Sequence, residues 1–359
     1  MTSRSPLHQA PSRTVGTGSS HVRRRLAALT TALVLAWTAF ATQAGAAASP
    51  GPVAGPIQVV DDEGTVVDIA AVPVRVISLS PANTEIVYAL GAGDRLVGGT
   101  DFDDYPPEAA ALPDAATFNG VLLEKVVALD PDLVLAAGNG FNPPADIRRM
   151  RELGLPVLVV YAESMEGVIA DVRLIAEALG AADAGEAVAQ RMDADIDRVV
   201  EAVASIAERP RTFYQIGWVE PQLFAPPPDS VYADMIALAG GEPVTTGVDD
   251  VFSMSLEALV AADPEVILLG DAIYPGGACP DDVATRPGWD TITAVIHGDV
   301  RPVDDLLVTR PGPRITDGLA SVARGIHPDI DLPGFAPDPP MCGTGSTPAP
   351  AAASSSGQP

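Results

Sequence analysis

The sequence predicts an α/β protein of two similar lobes, joined by one long rigid helix and separated by a cleft. Three observations carry this: β-prone runs alternating with helical segments, an internal repeat without a gap, and an amphipathic stretch lying between its two copies.

Taken in order, Ile57 to Val60 and Thr65 to Ile69 are β-prone runs flanking the turn-rich Asp61-Asp62-Glu63-Gly64, and predict a hairpin. The run from Val74 to Leu79 reads as a strand. Pro81 then opens a helix through Leu90 that stops at Gly91, the expected placement of proline at a helix start and glycine past its end. Strands at Leu133 to Ala136 and Val157 to Val160 alternate with helical segments near Leu122 to Leu129 and Ala145 to Leu153, implying a parallel, helix-covered sheet. From Ala184 to Arg209, apolar residues including Val188, Met192, Ile196, Val199, Val203 and Ile206 recur at helical spacing, so 184–209 reads as a helix about 40 Å long. Pro210 closes it and a strand follows from Thr212.

The repeat pairs Leu123-Glu124 through Asp130-Pro131 to Leu135 with Leu256-Glu257 through Asp263-Pro264 to Leu268, at a constant offset of 133 residues. Each copy is a helix with a glutamate near its start, an Asp-Pro break and a buried strand. A single repeat at so long a period means two lobes, since solenoids repeat at short periods many times. The lobes are placed at 57–181 and 210–333.

With 359 residues, 47% of them hydrophobic, the chain has ample material for such cores. Of its 21 basic residues five precede residue 49, where there is no acid; the remainder carries 16 basic against 47 acidic side chains. Such a surface repels nucleic-acid phosphates and anionic lipid. Only His297 and His327 lie beyond residue 48, and Lys125 is the one lysine in the chain. Histidine-rich metal sites, Schiff-base chemistry and a P-loop lysine are thereby disfavoured.

Arg23 to Arg25, the apolar run Leu26 to Ala41 and the small residues near Ala44 form an export signal over 1–46. The apolar run is shorter than the roughly 20 residues of a spanning helix, which favours cleavage over anchoring. No cysteine follows it, so the expectation is a periplasmic or extracellular protein without a lipoprotein cysteine. Cys279 and Cys342, in Pro/Gly-rich segments of an exported chain, are expected to pair. The Pro/Ala/Ser-rich stretch 334–359 has no apolar periodicity and reads as a disordered tail.

In this order, the run Arg75 to Glu85 (RVISLSPANTE), Asp104-Tyr105-Pro106-Pro107-Glu108, the duplicated Leu-Glu…Asp-Pro unit, the long helix and Arg310-Pro311-Gly312-Pro313-Arg314-Ile315 resemble a known family. It is the substrate-binding proteins of ABC importers for cobalamin, ferric siderophores and haem, the helical-backbone or class III group. The resemblance spans roughly 57–330, and the Asp-Tyr-Pro-Pro stretch is most similar to the cobalamin branch. It implies Rossmann-like lobes, no catalytic residue, no cofactor or resident metal, and a metal chelate, cobalamin or a related corrinoid, as guest. Ferric-siderophore or haem binding by the same fold, with Tyr105 as an axial ligand in the haem case, and a chelatase-like enzyme needing a cleft histidine are the alternatives.

In the resembled family Tyr105 and Phe118 occupy cleft-lining positions, although the cobalamin branch often has tryptophan where Phe118 stands. Trp218, Phe224 and Phe252, in loops of the second lobe, are candidates for the same cleft, weighed against ordinary core packing. Arg310 either bonds the guest or pairs with Asp304 and Asp305. Tyr274 and Asp250 are weaker candidates and are set aside. Glu124 and Glu257 suit the first turn of a helix through the macrodipole, and the resemblance implies that they also dock on arginines of an ABC permease, one per lobe.

Overall fold

The computed structural model describes residues 55–138, 140–274, 277–338 and 342. The export signal and nearly all of the tail lie outside them. Among the described residues no helix is long and apolar enough to cross a membrane.

The chain opens with an antiparallel hairpin, β1 (Ile57–Val60) and β2 (Val66–Ile69), in which Ile57 pairs Ile69. The first lobe then runs β3 (Val76–Ser78), α1 (Pro81–Ala89), β4 (Leu96–Thr100), β5 (Asp114–Thr117), β6 (Gly120–Val121), α2 (Leu123–Ala128), β7 (Leu133–Ala137), α3 (Pro144–Glu152) and β8 (Val157–Val160). Its sheet has the order β6-β5-β4-β3-β7-β8, parallel except for β6. Two helices follow, α4 (Met165–Ala178) and α5 (Ala182–Val203).

The second lobe comprises β9 (Arg211–Gln215), β10 (Gly217–Val219), β11 (Gln222–Phe224), α6 (Val231–Leu238), β12 (Glu242–Val244), β13 (Ser253–Met254), α7 (Leu256–Ala262) and β14 (Val266–Leu269). It ends with α8 (Pro280–Ala284), α9 (Thr293–His297), β15 (Val300–Pro302), α10 (Asp305–Val308) and α11 (Ile315–Ile326). Its parallel sheet is ordered β12-β9-β14-β15, and β10, β11 and β13 form a small antiparallel sheet beside it.

The expected α/β lobes are thus present, and their strands read as continuous apolar runs because both faces of each sheet are buried. Leu133, Leu135, Leu158 and Val160 point into one core while Val134, Ala136, Val157 and Val159 point into another. In β14, Leu268 faces the first core and Ile267 and Leu269 face a third.

The repeat is physical as well as textual. Asp130 and Asp263 both adopt positive φ, 47° and 44°, where the chain leaves the helix for the strand. At each site an arginine from the neighbouring strand's start satisfies the helix's free carbonyls. Arg75 Nε donates to the Asp130 carbonyl at 2.9 Å and Arg211 Nε to that of Asp263 at 3.0 Å. The same two residues are held by acids: the Arg75 amide donates to Asp132 (2.9 Å) and the Arg211 amide to Glu265 (3.0 Å).

The long helix differs from the expected 184–209. It spans Ala182–Val203, about 33 Å. The Ile206 amide turns back to the Val203 carbonyl, and Pro210 biases Arg209 away from helix, so the last six expected residues form the approach to β9. Nor does α5 stand alone. It packs on α4, a helix the sequence reading did not resolve, and on α6 and α11 of the second lobe. One core runs unbroken from the hairpin through α4 and α5 into α11. Cys279 and Cys342 are joined by a disulfide, with Cα atoms 5.6 Å apart.

Beneath this core Asp171 of α4 is 5% exposed and faces Asp62 of the hairpin turn, whose carboxylate accepts the Tyr161 amide at 2.7 Å. Burial first, then the charge and hydrogen bond of Asp62, push the Asp171 carboxyl up to about 9. The folded state therefore holds a proton that the unfolded chain releases near pH 4, and its contribution to stability declines as pH rises from about 4 to about 9. Asp171→Asn, which still donates to Asp62, should melt several degrees above wild type at pH 8.5 and near it at pH 5. Parallel melting curves across that range would refute the shared proton.

Candidate functional site: the interlobe cleft

Open α/β sheets bind ligands beyond the carboxyl ends of their strands. Four aromatic residues stand at such ends here: Phe102 past β4, Phe118 past β5, Phe141 past β7 and Tyr161 past β8. Across the seam Tyr232 of α6, Tyr274 past β14, and Leu306, Thr309, Arg310 and Pro311 in and after α10 complete a cavity of about 790 Å³. That lies in the upper part of the roughly 300–1,000 Å³ range of small-molecule sites.

Local devices fix these rings. Asp103, 4% exposed, accepts hydrogen bonds from the Thr100 amide (2.8 Å), the Thr100 hydroxyl (2.9 Å) and the Thr84 hydroxyl (2.9 Å), which ties the Phe102 loop to α1. Burial raises the Asp103 carboxyl above its ordinary range despite those bonds. Gly138 leaves room for the Tyr161 ring, since a Cβ there would come within 2.3 Å of it. Asn142, 4% exposed, donates to the Leu79 carbonyl (3.0 Å) and accepts the Ala137 amide (2.7 Å), closing the loop that carries Phe141.

Among the described residues Arg310 is the one basic side chain lining the cavity. Its partners are neither Asp304 nor Asp305. The guanidinium chelates Asp104 of the first lobe, with Nη2 to Oδ2 at 3.1 Å, and lies 3.6 Å from Glu85 Oε1. Glu85, 3% exposed in α1, also accepts two bonds from Arg314, at 2.9 Å and 2.6 Å. Burial pushes Asp104 upward, but the hydrogen bond and charge of Arg310 outweigh it and hold the carboxyl below its usual range. The seam is thus an ion cluster whose acids come from one lobe and whose arginines come from the other.

Of the residues singled out in the sequence, the structure brings Phe118 and Arg310 to the cavity wall; the Phe118 ring is 87% exposed. Tyr105 is not among the lining residues. Its ring stacks on Arg314, whose guanidinium carbon lies 3.8 Å from the centroid, so it belongs to the seam cluster. Trp218 sits on β10 beneath Arg286 (3.9 Å) and beside Trp289, on the second lobe's core. Phe224 and the neighbouring Phe252 are placed by the small antiparallel sheet, also away from the cavity lining. Phe102, Phe141, Tyr161 and Tyr232, which the sequence reading does not single out, line the cavity, as does Tyr274, which it sets aside. Neither His297, at the end of α9, nor His327, just past α11, lines the cavity. Among the described residues no group of three His, Cys, Asp or Glu side chains is arranged to hold a metal ion.

Glu124 and Glu257 both stand exposed in the first turns of α2 and α7, the two copies of the repeat.

Two lobes bridged by a packed helix, with a preformed aromatic cleft at the carboxyl ends of both sheets, define a protein that captures a solute. The chain belongs to the periplasmic binding protein family, which it matches over residues 76–306. It is an ABC transporter substrate-binding protein. It is 33% identical over 278 residues to the uncharacterized ABC transporter substrate-binding lipoprotein YvrC of Bacillus subtilis, covering 76% of this chain and 86% of that one. It is 28% identical over 285 residues to a cobalamin-binding protein of Halobacterium salinarum, covering 76% and 74%. The periplasmic heme-binding protein RhuT of Roseiflexus sp. RS-1, in apo form, superposes with a TM-score of 0.63 at 25% identity, over 71% of this chain and 98% of that one. The Bacillus relative is a lipoprotein, so it lends no support to the expectation of an unlipidated chain, which concerns residues outside those described.

Proposed function

We propose that this chain captures cobalamin or a related corrinoid outside the cytoplasm, without catalysing any change in it, and hands it to an ABC permease on which Glu124 and Glu257 dock. The observation that carries the ligand is the cleft's chemistry: aromatic faces on both lobes and, among the described residues, a single cation already committed to two acids. A smaller depression beside it, sharing Gly138, Asn142 and Tyr161, is walled by Glu63, Glu163 and Asp250. Haem propionates and anionic siderophores would meet this acidic edge without a free counter-charge. A corrinoid instead offers a broad ring face for stacking and amide arms that donate hydrogen bonds to carboxylates. The cobalamin-binding relative supports the same reading.

Isothermal titration with cyanocobalamin, haemin and a ferric hydroxamate siderophore tests it. One-site saturation by cyanocobalamin, tighter than by the other two, is expected. A ring that loses about 100 Å² of exposure gains about 2.5 kcal/mol, so Phe118→Ala and Phe141→Ala should each weaken cyanocobalamin at least tenfold. Saturation by haemin or the siderophore with no response to cyanocobalamin would reassign the guest.

A further inference from the structure

Behind the cleft wall lies a polar cluster that the binding reading does not use. Tyr274, 45% exposed and lining the cavity, donates its hydroxyl to Asp305 Oδ2 at 2.7 Å. Tyr214, 1% exposed on β9, donates to the other oxygen, Oδ1, also at 2.7 Å. Asp305 itself is 4% exposed at the start of α10. Room for the cluster comes from Gly270, where a Cβ would fall 2.4 Å from the Tyr214 hydroxyl and 2.7 Å from Asp305 Oδ1. One buried carboxylate thus takes two phenols, one from the core and one from the cleft.

We propose that Asp305 is a positioning and specificity-determining residue: it turns the Tyr274 hydroxyl inward, so that the cleft offers a chelated metal a ring face and withholds an oxygen ligand. The inference rests on the corrinoid reading and states what that cleft rejects. Ligation of ferric iron by tyrosine needs the phenolate oxygen aimed at the metal and its proton released. Here the oxygen points into the protein, and losing its proton would set a phenolate beside a carboxylate in a buried site. Burial and Asp305 accordingly hold the Tyr274 hydroxyl well above the ordinary phenol range. The groups facing this cluster are Asp271, Asp304, Tyr232, Arg310 and the Thr309 hydroxyl, which also meets the Tyr274 hydroxyl; of these only Arg310 is positive, and Asp104 and Glu85 already engage it. A corrinoid, whose cobalt arrives with its own ligands, loses nothing by this arrangement, whereas an iron porphyrin with open axial positions loses a ligand.

The test compares wild type, Asp305→Asn, Tyr274→Phe and the double variant, each with cyanocobalamin by titration and with haemin by absorption spectroscopy. Asp305→Asn should weaken cyanocobalamin about tenfold and gain a ferric-phenolate charge-transfer band with haemin, and the double variant should lose that band. Wild type and Tyr274→Phe should show the same haemin spectrum. That comparison decides the matter alone if Asp305→Asn does not fold. A phenolate band in wild type that vanishes in Tyr274→Phe overturns the inference, as does an Asp305→Asn protein matching wild type on both ligands. Failure of wild type to bind cyanocobalamin at all strikes the functional reading and is read separately from the haemin spectra.

Discussion

Arg314→Ala lowers the melting temperature by about 6–12 °C and weakens guest binding, because it strips the bidentate partner from a glutamate that has no access to water. Glu85 is 3% exposed, and its two short bonds to Arg314 are the chief compensation for that burial. Removing one member of a buried pair costs about 3–5 kcal/mol, since the remaining charge stays desolvated. At the lower figure, about 2–4 °C per kcal/mol for a chain of this size gives the stated range. Arg310 stands 3.6 Å from Glu85 Oε1 but is already chelating Asp104, so it offsets little of the loss. Arg314→Ala also frees the Tyr105 ring that stacks on the guanidinium. The lobes then lose a fixed point at the mouth of the cleft, and part of the binding energy goes into restoring the seam. Glu85→Leu is the discriminating partner: replacing the buried charge by an apolar group should cost less than Arg314→Ala, and Glu85→Leu/Arg314→Ala less than the sum of the single effects. Differential scanning calorimetry measures all three. Additive losses would show that Glu85 and Arg314 do not act as a unit.

The sequence exposes most of the architecture because periodicity and repetition are local signals. The hairpin, β7, β8, α1 and the twin Asp-Pro units can be read from runs of a dozen residues, and each run agrees with its place in the fold. The chelation of Asp104 by Arg310 is not legible in that way, because its partners are about two hundred positions apart and only the closed seam brings them together. The cleft aromatics fail for a different reason. Tyr105 is a candidate through the family resemblance, and Trp218, Phe224 and Phe252 through standing in loops, yet such an aromatic can equally stack on an arginine or cover a core, as Tyr105 and Trp218 do. Strand ends carry a second signal: Phe118 and Tyr161 immediately follow parallel strands, and Phe102, Phe141 and Tyr274 stand within five residues of one. Proximity to a strand's carboxyl end narrows the search without deciding it, because Tyr105, five residues past β4, and Trp218, three past β9, share it and turn elsewhere.

On the proposed docking role, replacing both Glu124 and Glu257 by arginine should reduce uptake of cobalamin at least tenfold while leaving its capture unchanged. Both carboxylates are exposed, lie in the first turn of matching helices, and make no salt bridge among the described residues. The helix macrodipole favours a negative charge at that place by about 0.3–1 kcal/mol, which keeps each carboxylate where a partner finds it. The chain beyond residue 48 carries 16 basic against 47 acidic side chains, so a partner that approaches closely must present positive charge. Merely deleting a rim charge costs little, on the order of 0.2–1 kcal/mol. Reversal sets like charges face to face, which costs several kcal/mol and is the stronger test. Each single reversal should therefore lower uptake partially and the double reversal nearly abolish it, with the wild-type rate falling as salt screens the attraction. Glu201→Arg, an equally exposed reversal in the last turn of α5, is the charge-matched control and should leave uptake intact. Transport of labelled cobalamin into vesicles carrying the cognate permease and ATPase, alongside titration of the isolated protein, separates delivery from capture. Full uptake by the double variant would move the docking surface elsewhere.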